Sequence, residues 1–262
     1  MRALYTAATG MMAQELNVEV ISNNIANMRT TGFKKQRAEF QDLFYQNLRR
    51  VGTTTSDQGT RLPAGLDIGG GVKVVSTPRV MSQGNLTSTE KDLDVAIRGE
   101  GFFRVTMPDG RIAYTRAGSF ERDDQGRIVT PEGYLLDPQM TVPANATGIT
   151  INQQGQVSVT IPNQTQPTEL GQIQLARFVN KNGLQPIGDN LYLETAASGT
   201  PQLSNPGVDG AGTLLQQQLE TANVNAVTEI SDLIAAQRAY SMNAKVVSAA
   251  DEMLQSTANM LR

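Results

Sequence analysis

The sequence predicts an α+β fold in which N- and C-terminal helices pair as a coiled-coil-like domain and a central antiparallel β domain is joined to them by extended linkers. Three patterns predict it. At both ends of the chain apolar residues step by three and four, the period of a helix with a narrow apolar stripe. In the middle they alternate by two, the period of a half-buried strand. Stretches rich in Gly, Pro and Thr, where both periods lapse, separate the two regimes.

The first element is a helix. Leu4, Ala7, Met11, Gln14, Val18, Ile21, Ile25 and Met28 form a heptad seam with one polar interruption. It should end before Thr30-Thr31-Gly32, where two β-branched residues and a glycine supply a stop. Residues 29–50 follow, with Arg29, Lys34, Lys35, Arg37, Arg49 and Arg50 set against Glu39 and Asp42, and with Phe33, Phe40, Phe44 and Tyr45 interleaved. Such a mix can serve nucleic acid or an anionic surface. A short amphipathic segment with its aromatics packed inward explains the same residues and agrees better with a formal net charge of −3. Residues 52–71 interrupt both periods and read as a loop, with Gly69-Gly70-Gly71 a turn before a strand at Val72–Val75.

The antiparallel β domain spans roughly Lys91 to Leu193. Phe102, Phe103 and Val105 mark one strand, Val157, Val159 and Ile161 a second, and Ile173, Leu175 and Val179 a third. Pro108-Asp109-Gly110, Asp124-Gln125-Gly126, Pro131-Glu132-Gly133, Gln154-Gly155 and Asn182-Gly183 supply the turns between them. Residues 195–213 form a second irregular neck. The last element runs through Ala226, Ile230, Leu233, Gln237, Tyr240, Ala244, Val247, Asp251, Leu254, Ala258 and Leu261, again in three-four steps. A helix from about Leu219 to the last residue would hold about 44 residues and rise about 66 Å, a length that needs a partner along it. Residues 1–30 and 215–262 then make one helical layer, 31–90 a connecting segment with an extended loop at 52–66, and 91–214 an outer β-rich domain.

Composition removes most chemistry. With no Cys, His or Trp among 262 residues, the chain has no thiol nucleophile, imidazole base, zinc ligand of the usual kinds or disulfide. No catalytic, cofactor or metal residues are assigned. Gly99-Glu100-Gly101 opens like a dinucleotide fingerprint, but Arg104 stands at the third glycine and a strand follows where a helix is needed. Asp123-Asp124 is explained by a hairpin turn, and Glu90, Asp92 and Asp94 by a solvated strand entry. No apolar run is long enough to span a membrane, and the first twenty residues lack the apolar core of a Sec signal peptide. Hydrophobic residues are 39% and aromatics 5%, sparse for a self-contained globule. The narrow terminal stripes allow either an intramolecular hairpin or a multi-subunit helical layer, and their small residues favour the layer, where many weak contacts add up.

Several segments resemble a known family. Ala8-Thr9-Gly10-Met11, Ile21-Ser22-Asn23-Asn24-Ile25-Ala26-Asn27 and Thr31-Gly32-Phe33-Lys34 resemble the N-terminal signature of bacterial flagellar rod and hook proteins. Asn223-Val224-Asn225, Gln237-Arg238-Ala239-Tyr240, Asn243 and Lys245 are similar to their C-terminal signature. Residues 94–103 and 114–120 resemble their shared β domain, while Leu62-Pro63-Ala64-Gly65, residues 190–195 and residues 212–216 look like the members that build the distal rod. Met28-Arg29 departs from the usual pattern.

The resemblance implies a structural subunit, polymerised into a rigid tube that transmits motor torque across the periplasm to the hook. A hook or proximal rod subunit is the nearest alternative, and a β-rich peptidoglycan-binding protein the alternative of another class. Implied partners are further copies of the chain, proximal rod and hook subunits, the surrounding peptidoglycan and outer-membrane ring proteins, and the type III export apparatus. No nucleic acid, membrane span or cofactor is implied. The residues expected to make subunit contacts are Leu4, Met11, Gln14, Val18, Ile21, Asn23, Asn24, Ile25 and Asn27 at one end, and Ile230, Leu233, Gln237, Arg238, Tyr240, Val247 and Leu254 at the other. Gln14, Gln237 and Asp251, polar positions in the seams, are expected to fix register. Leu62, Pro63 and Leu66 are expected to stiffen the assembly through the 52–66 loop.

Overall fold

The computed structural model describes residues 2–49, 51, 64–162, 164 and 166–260. The chain is α+β and divides into two compact units.

One unit gathers the described residues of Met1–Ile25, Gln36–Pro78 and Asn225–Arg262. It contains α1 (Arg2–Ala26) and α2 (Ala226–Met260). Between them in sequence come β1 (Glu39–Asp42), β2 (Tyr45–Arg49), β3 (Leu66–Gly69) and β4 (Val72–Ser76). β1 pairs with β4 and β2 with β3, both antiparallel, so two arms of the chain form one nested ribbon. The Leu43 N–H donates to the Gly71 carbonyl at 2.8 Å and carries the ladder across the gap between the pairs. This corrects the sequence reading twice. Residues 66–69 are a strand, and Phe40, Phe44 and Tyr45 are exposed on the ribbon, leaving Phe33 as the one buried aromatic of the four.

α1 stops where expected, four residues before Thr30. α2 starts later than about Leu219, because residues 213–220 are taken up by two strands of the other unit. Asn225 sets the start: its Oδ1 accepts the N–H groups of Val227 (3.0 Å) and Thr228 (3.3 Å), which have no partner within the helix. The 35 residues that remain helical rise about 52 Å.

The other unit comprises Ala26–Lys35 and Arg79–Val224. Its strands are β5 (Leu86–Ser88), β6 (Val95–Arg98), β7 (Phe103–Thr106), β8 (Ile112–Thr115), β9 (Glu121–Arg122), β10 (Ile128–Val129), β11 (Leu135–Asp137) and β12 (Gly148–Ile151), then β13 (Gln156–Thr160), β14 (Thr168–Gln172), β15 (Leu175–Arg177), β16 (Gln185–Gly188), β17 (Leu191–Leu193), β18 (Gln202–Ser204), β19 (Thr213–Gln216) and β20 (Gln218–Glu220). A seven-stranded sheet has the order β16-β17-β8-β7-β11-β10-β9, a three-stranded sheet the order β12-β13-β14, and β15–β18, β6–β19 and β5–β20 form separate pairs.

Alternation explains the burial. Val157 and Val159 of β13 turn inward while Gln156 and Thr160 stay out, and Phe103 and Val105 of β7 are buried between partly covered neighbours. Val95, Ile97, Phe103, Leu136, Val157 and Leu175 sit in one apolar cluster. Asn182-Gly183 turns the chain between β15 and β16 as a short 3-10 segment, while three expectations fail locally: Val179 is exposed beyond the end of β15, residues 202–204 of the second neck are β18, and Asp94 is buried where a solvated strand entry was expected.

Candidate functional site

α1 and α2 meet in antiparallel register. Gly10 faces Asn243 so closely that an added Cβ would lie 2.8 Å from Asn243 Nδ2, so the absence of a side chain on α1 is what lets the amide of α2 in. Two heptads further along α1 and two heptads back along α2, Asn24 Nδ2 donates to Glu229 Oε2 at 3.1 Å. The equal intervals mean that neither helix slips against the other over this distance. Asn24 also serves the chain beyond α1. Its Nδ2 donates to the Gln36 carbonyl (2.8 Å) and its Oδ1 accepts the Gln36 N–H (2.9 Å), so one buried amide closes the turn as a paired strand would. Thr9 Oγ1 accepts from the Val72 N–H at 3.4 Å, beside the triple-glycine turn.

The predicted seam is half right. On α1, Ile21 is buried and Leu4, Met11, Gln14, Val18 and Ile25 are partly covered, together with the buried Ala7, Ala13, Val20 and Asn24. Asn23 and Met28 are exposed, while Asn27, partly covered, accepts from Thr30 Oγ1 at 3.1 Å. On α2, Leu233 and Val247 are partly covered, but Ile230, Gln237, Arg238, Tyr240 and Leu254 are exposed. The buried residues are Glu229, Ala236 and Ala250, with Asn243 partly covered, so the contact row is rotated from the one expected. Within one chain small and polar residues make the close contact, and the large apolar residues of α2 lie on a neighbouring flank. Gln237 and Asp251 therefore stand outside the α1–α2 contact, and the polar residues within it are Asn24, Glu229 and Asn243. Leu66 begins β3 and is exposed; Leu62 and Pro63 lie outside the described residues.

In the β-rich unit, residues of the same terminal segments build a buried ionic joint. Lys34 Nζ lies 2.5 Å from Glu220 Oε1, and Arg116 Nε lies 2.7 Å from Glu220 Oε2. Lys34 also donates to the Ser82 carbonyl (2.8 Å), and Arg116 to the carbonyls of Gly101 (2.6 Å) and Gly99 (2.8 Å). Burial pushes the Lys34 ammonium below its ordinary pKa, and the Glu220 carboxylate opposes that shift. Gly32 takes a positive φ of 68°, where an added Cβ would lie 2.6 Å from the Ala117 nitrogen. Asn223 Oδ1 accepts the Lys35 N–H (2.8 Å) while its Nδ2 donates to the Val80 carbonyl (2.7 Å). The sequence signalled Lys34 and Asn223 only as members of a motif. Arg116 likewise stood only within the 114–120 motif, and Glu220, more than a hundred residues away, carried no local signal at all.

Comparison with known proteins decides the family. The flagella basal body rod protein family matches residues 4–34, the flagellar hook protein FlgE/F/G D1 domain residues 96–159, and the flagellar basal body rod FlgEFG protein C-terminal family residues 215–260. The chain is 57% identical to the flagellar basal-body rod protein FlgG of Caulobacter vibrioides over 260 residues, covering 99% of both chains. The chain belongs to the flagellar basal-body rod protein family. Its likeness to the FlgG proteins of Borreliella burgdorferi (46% identity, 100% of this chain and 99% of the relative) and Bacillus subtilis (36%, all of both) is also full-length. As a structural subunit of the flagellar rod, the chain is a component of the basal body. The N-terminal rod match covers Gly10 and Asn24 of α1 and Lys34, and the C-terminal match covers Glu220, Asn223, the Asn225 cap and all of α2. Among the described residues no cluster of carboxylates could hold a metal ion, and no helix is long and apolar enough to cross a membrane.

Proposed function

We propose that this rod subunit is a purely mechanical, non-enzymatic component of the distal rod, polymerising into a rigid helical tube that transmits motor torque across the periplasm to the hook. The observation that carries the reading is the unfinished burial of the terminal helices. Tyr5 and Met12 on α1, and Val227, Ile230, Ile234 and Val246 on α2, are exposed although α1 and α2 already cover one another's small-residue faces. Apolar surface of this extent on a helix marks a contact with another molecule. A copy whose patch meets a different patch on the next copy makes a heterologous contact, which builds a helical filament when the rotation does not close.

In this reading Ile230, Tyr240 and Leu254, exposed in the single chain, face neighbouring copies, as do Leu4, Met11 and Asn23, whereas Asn24 is buried and bonded within its own chain. The 52–66 loop, with Leu62, Pro63 and Leu66, lies along neighbours and stiffens the tube. Proximal rod subunits join one end and hook subunits the other, while ring proteins and peptidoglycan surround the wall. Subunits arrive through the type III export apparatus. The test is polymerisation of the full chain, followed by sedimentation and negative-stain electron microscopy. Ile234→Asp should leave the circular dichroism of the monomer unchanged and lower the pelleted fraction at least tenfold. Undiminished filaments from this variant would remove α2's open face from the assembly.

A further inference from the structure

We infer that the exposed methionines of the terminal helices are oxidation sites, and that their conversion to sulfoxides bars a free subunit from assembly. The inference rests on the reading that these helices are covered by other copies. A chain without Cys, His or Trp leaves methionine as its most readily oxidised side chain. The structure sorts the methionines: Met12 is 70% exposed, Met242 60%, Met253 63% and Met260 78%, Met28 just beyond α1 is 38% exposed, and Met140 in the β core is 3% exposed. Met11, Met81 and Met107 are partly covered.

The three on α2 form a stripe. Met242, Met253 and Met260 are separated by eleven and seven residues, and each of those steps returns to within about 20° of the same helix direction. Val246 lies near the same stripe and is exposed as well. The stripe lies about a quarter turn around α2 from the row of Glu229, Ala236, Asn243 and Ala250 that meets α1 or is buried. On α1, Met12 repeats Tyr5 one heptad on, and both are exposed. Flexible, polarizable thioethers suit a surface that must fit several neighbours at once.

The reaction needs a two-electron oxidant, and a hydroperoxide supplies it. With hydrogen peroxide, the thioether sulfur attacks one oxygen, the O–O bond breaks as an S–O bond forms, and the proton of the attacked oxygen passes through solvent to the departing hydroxide, which leaves as water. The sulfur is oxidised by two electrons and the peroxide reduced by two. The product is polar where an apolar contact is required, so oxidation before assembly marks a subunit as unfit, and burial in a filament protects the same sulfurs.

The experiment treats the purified full chain with hydrogen peroxide, follows each methionine by peptide mass spectrometry, and then measures filament yield. Met12, Met242, Met253 and Met260 should gain oxygen at least tenfold faster than Met140. Filament yield should fall at least tenfold and return after treatment with the two methionine sulfoxide reductases. A chain with Met→Leu at the four positions should polymerise equally before and after peroxide, and the reductase arm decides the matter if that variant misfolds. Oxidation of Met140 as fast as the helix methionines, or equal filament yield from oxidised and untreated chain, would overturn the inference. Failure of the untreated chain to polymerise would instead overturn the assembly reading beneath it.

Discussion

Lys34 and Arg116 share the single carboxylate of Glu220, and all three side chains are almost wholly removed from water. Removing one partner from such a group leaves buried charge uncompensated, which costs far more than the intact group contributes. Glu220→Gln should therefore destabilise the protein by about 3–5 kcal/mol in urea unfolding. Lys91→Gln, which breaks an exposed pair with Glu121, should cost less than about 1 kcal/mol. A second residue-scale effect concerns alkaline pH. Burial, then a 3.0 Å hydrogen bond donated to Glu194, raises the pKa of the Tyr114 phenol, and burial raises that of Tyr192. Both stay protonated in the folded state after they would ionise in the unfolded chain, near about pH 10. The stabilisation they supply is complete below about pH 10 and is lost as pH rises from there through the folded values. Thermal melts from pH 8 upward should show that decline, and Tyr114→Phe should flatten it. An equally steep decline in the variant would contradict this assignment.

At the scale of elements, α2 depends on a sharp start. Asn225 is the only residue between β20 and the helix whose side chain caps the first N–H groups, among the described contacts. Asn225→Ala should cost about 1 kcal/mol and speed amide exchange in the first turn, while Asn225→Asp should retain the cap. The periods of three-four and two were legible in the sequence because they report which face of an element is covered. They located α1, most of α2, β7 and β13. The register of α1 against α2 was not legible. Its contacts are made by Gly10, Asn24, Glu229 and Asn243, with Ala236 and Ala250 buried on the same face of α2, and a hydrophobic pattern follows Ile230, Ile234 and Leu254 instead. The strands at 213–220 were hidden for another reason. β19 and β20 are stabilised by pairing with β6 and β5, more than a hundred residues away in sequence. Distant pairing of this kind leaves no local mark, and the lack of Pro and Gly in the segment read as helix.

At the scale of the whole molecule, the family signature and the physics of the terminal helices point the same way. The motif residues that sequence comparison singles out are joints within one chain: Asn24 closes the turn after α1, Lys34 and Glu220 pin distant segments together, and Asn225 starts α2. Outside those joints the helices expose Tyr5, Met12, Ile230, Ile234 and Val246 beside polar and charged residues, and this is the surface left for other copies. The sparse apolar content of the chain fits a subunit that completes its burial by association.

The most direct test is a cryo-electron microscopy map of filaments grown from the purified full chain. The account predicts a helical tube in which Ile230, Ile234 and Met253 of one copy are covered by its neighbours, with residues 52–66 lying along adjacent subunits. A map in which these helix residues face solvent, with contacts made through the β-rich unit alone, would contradict it.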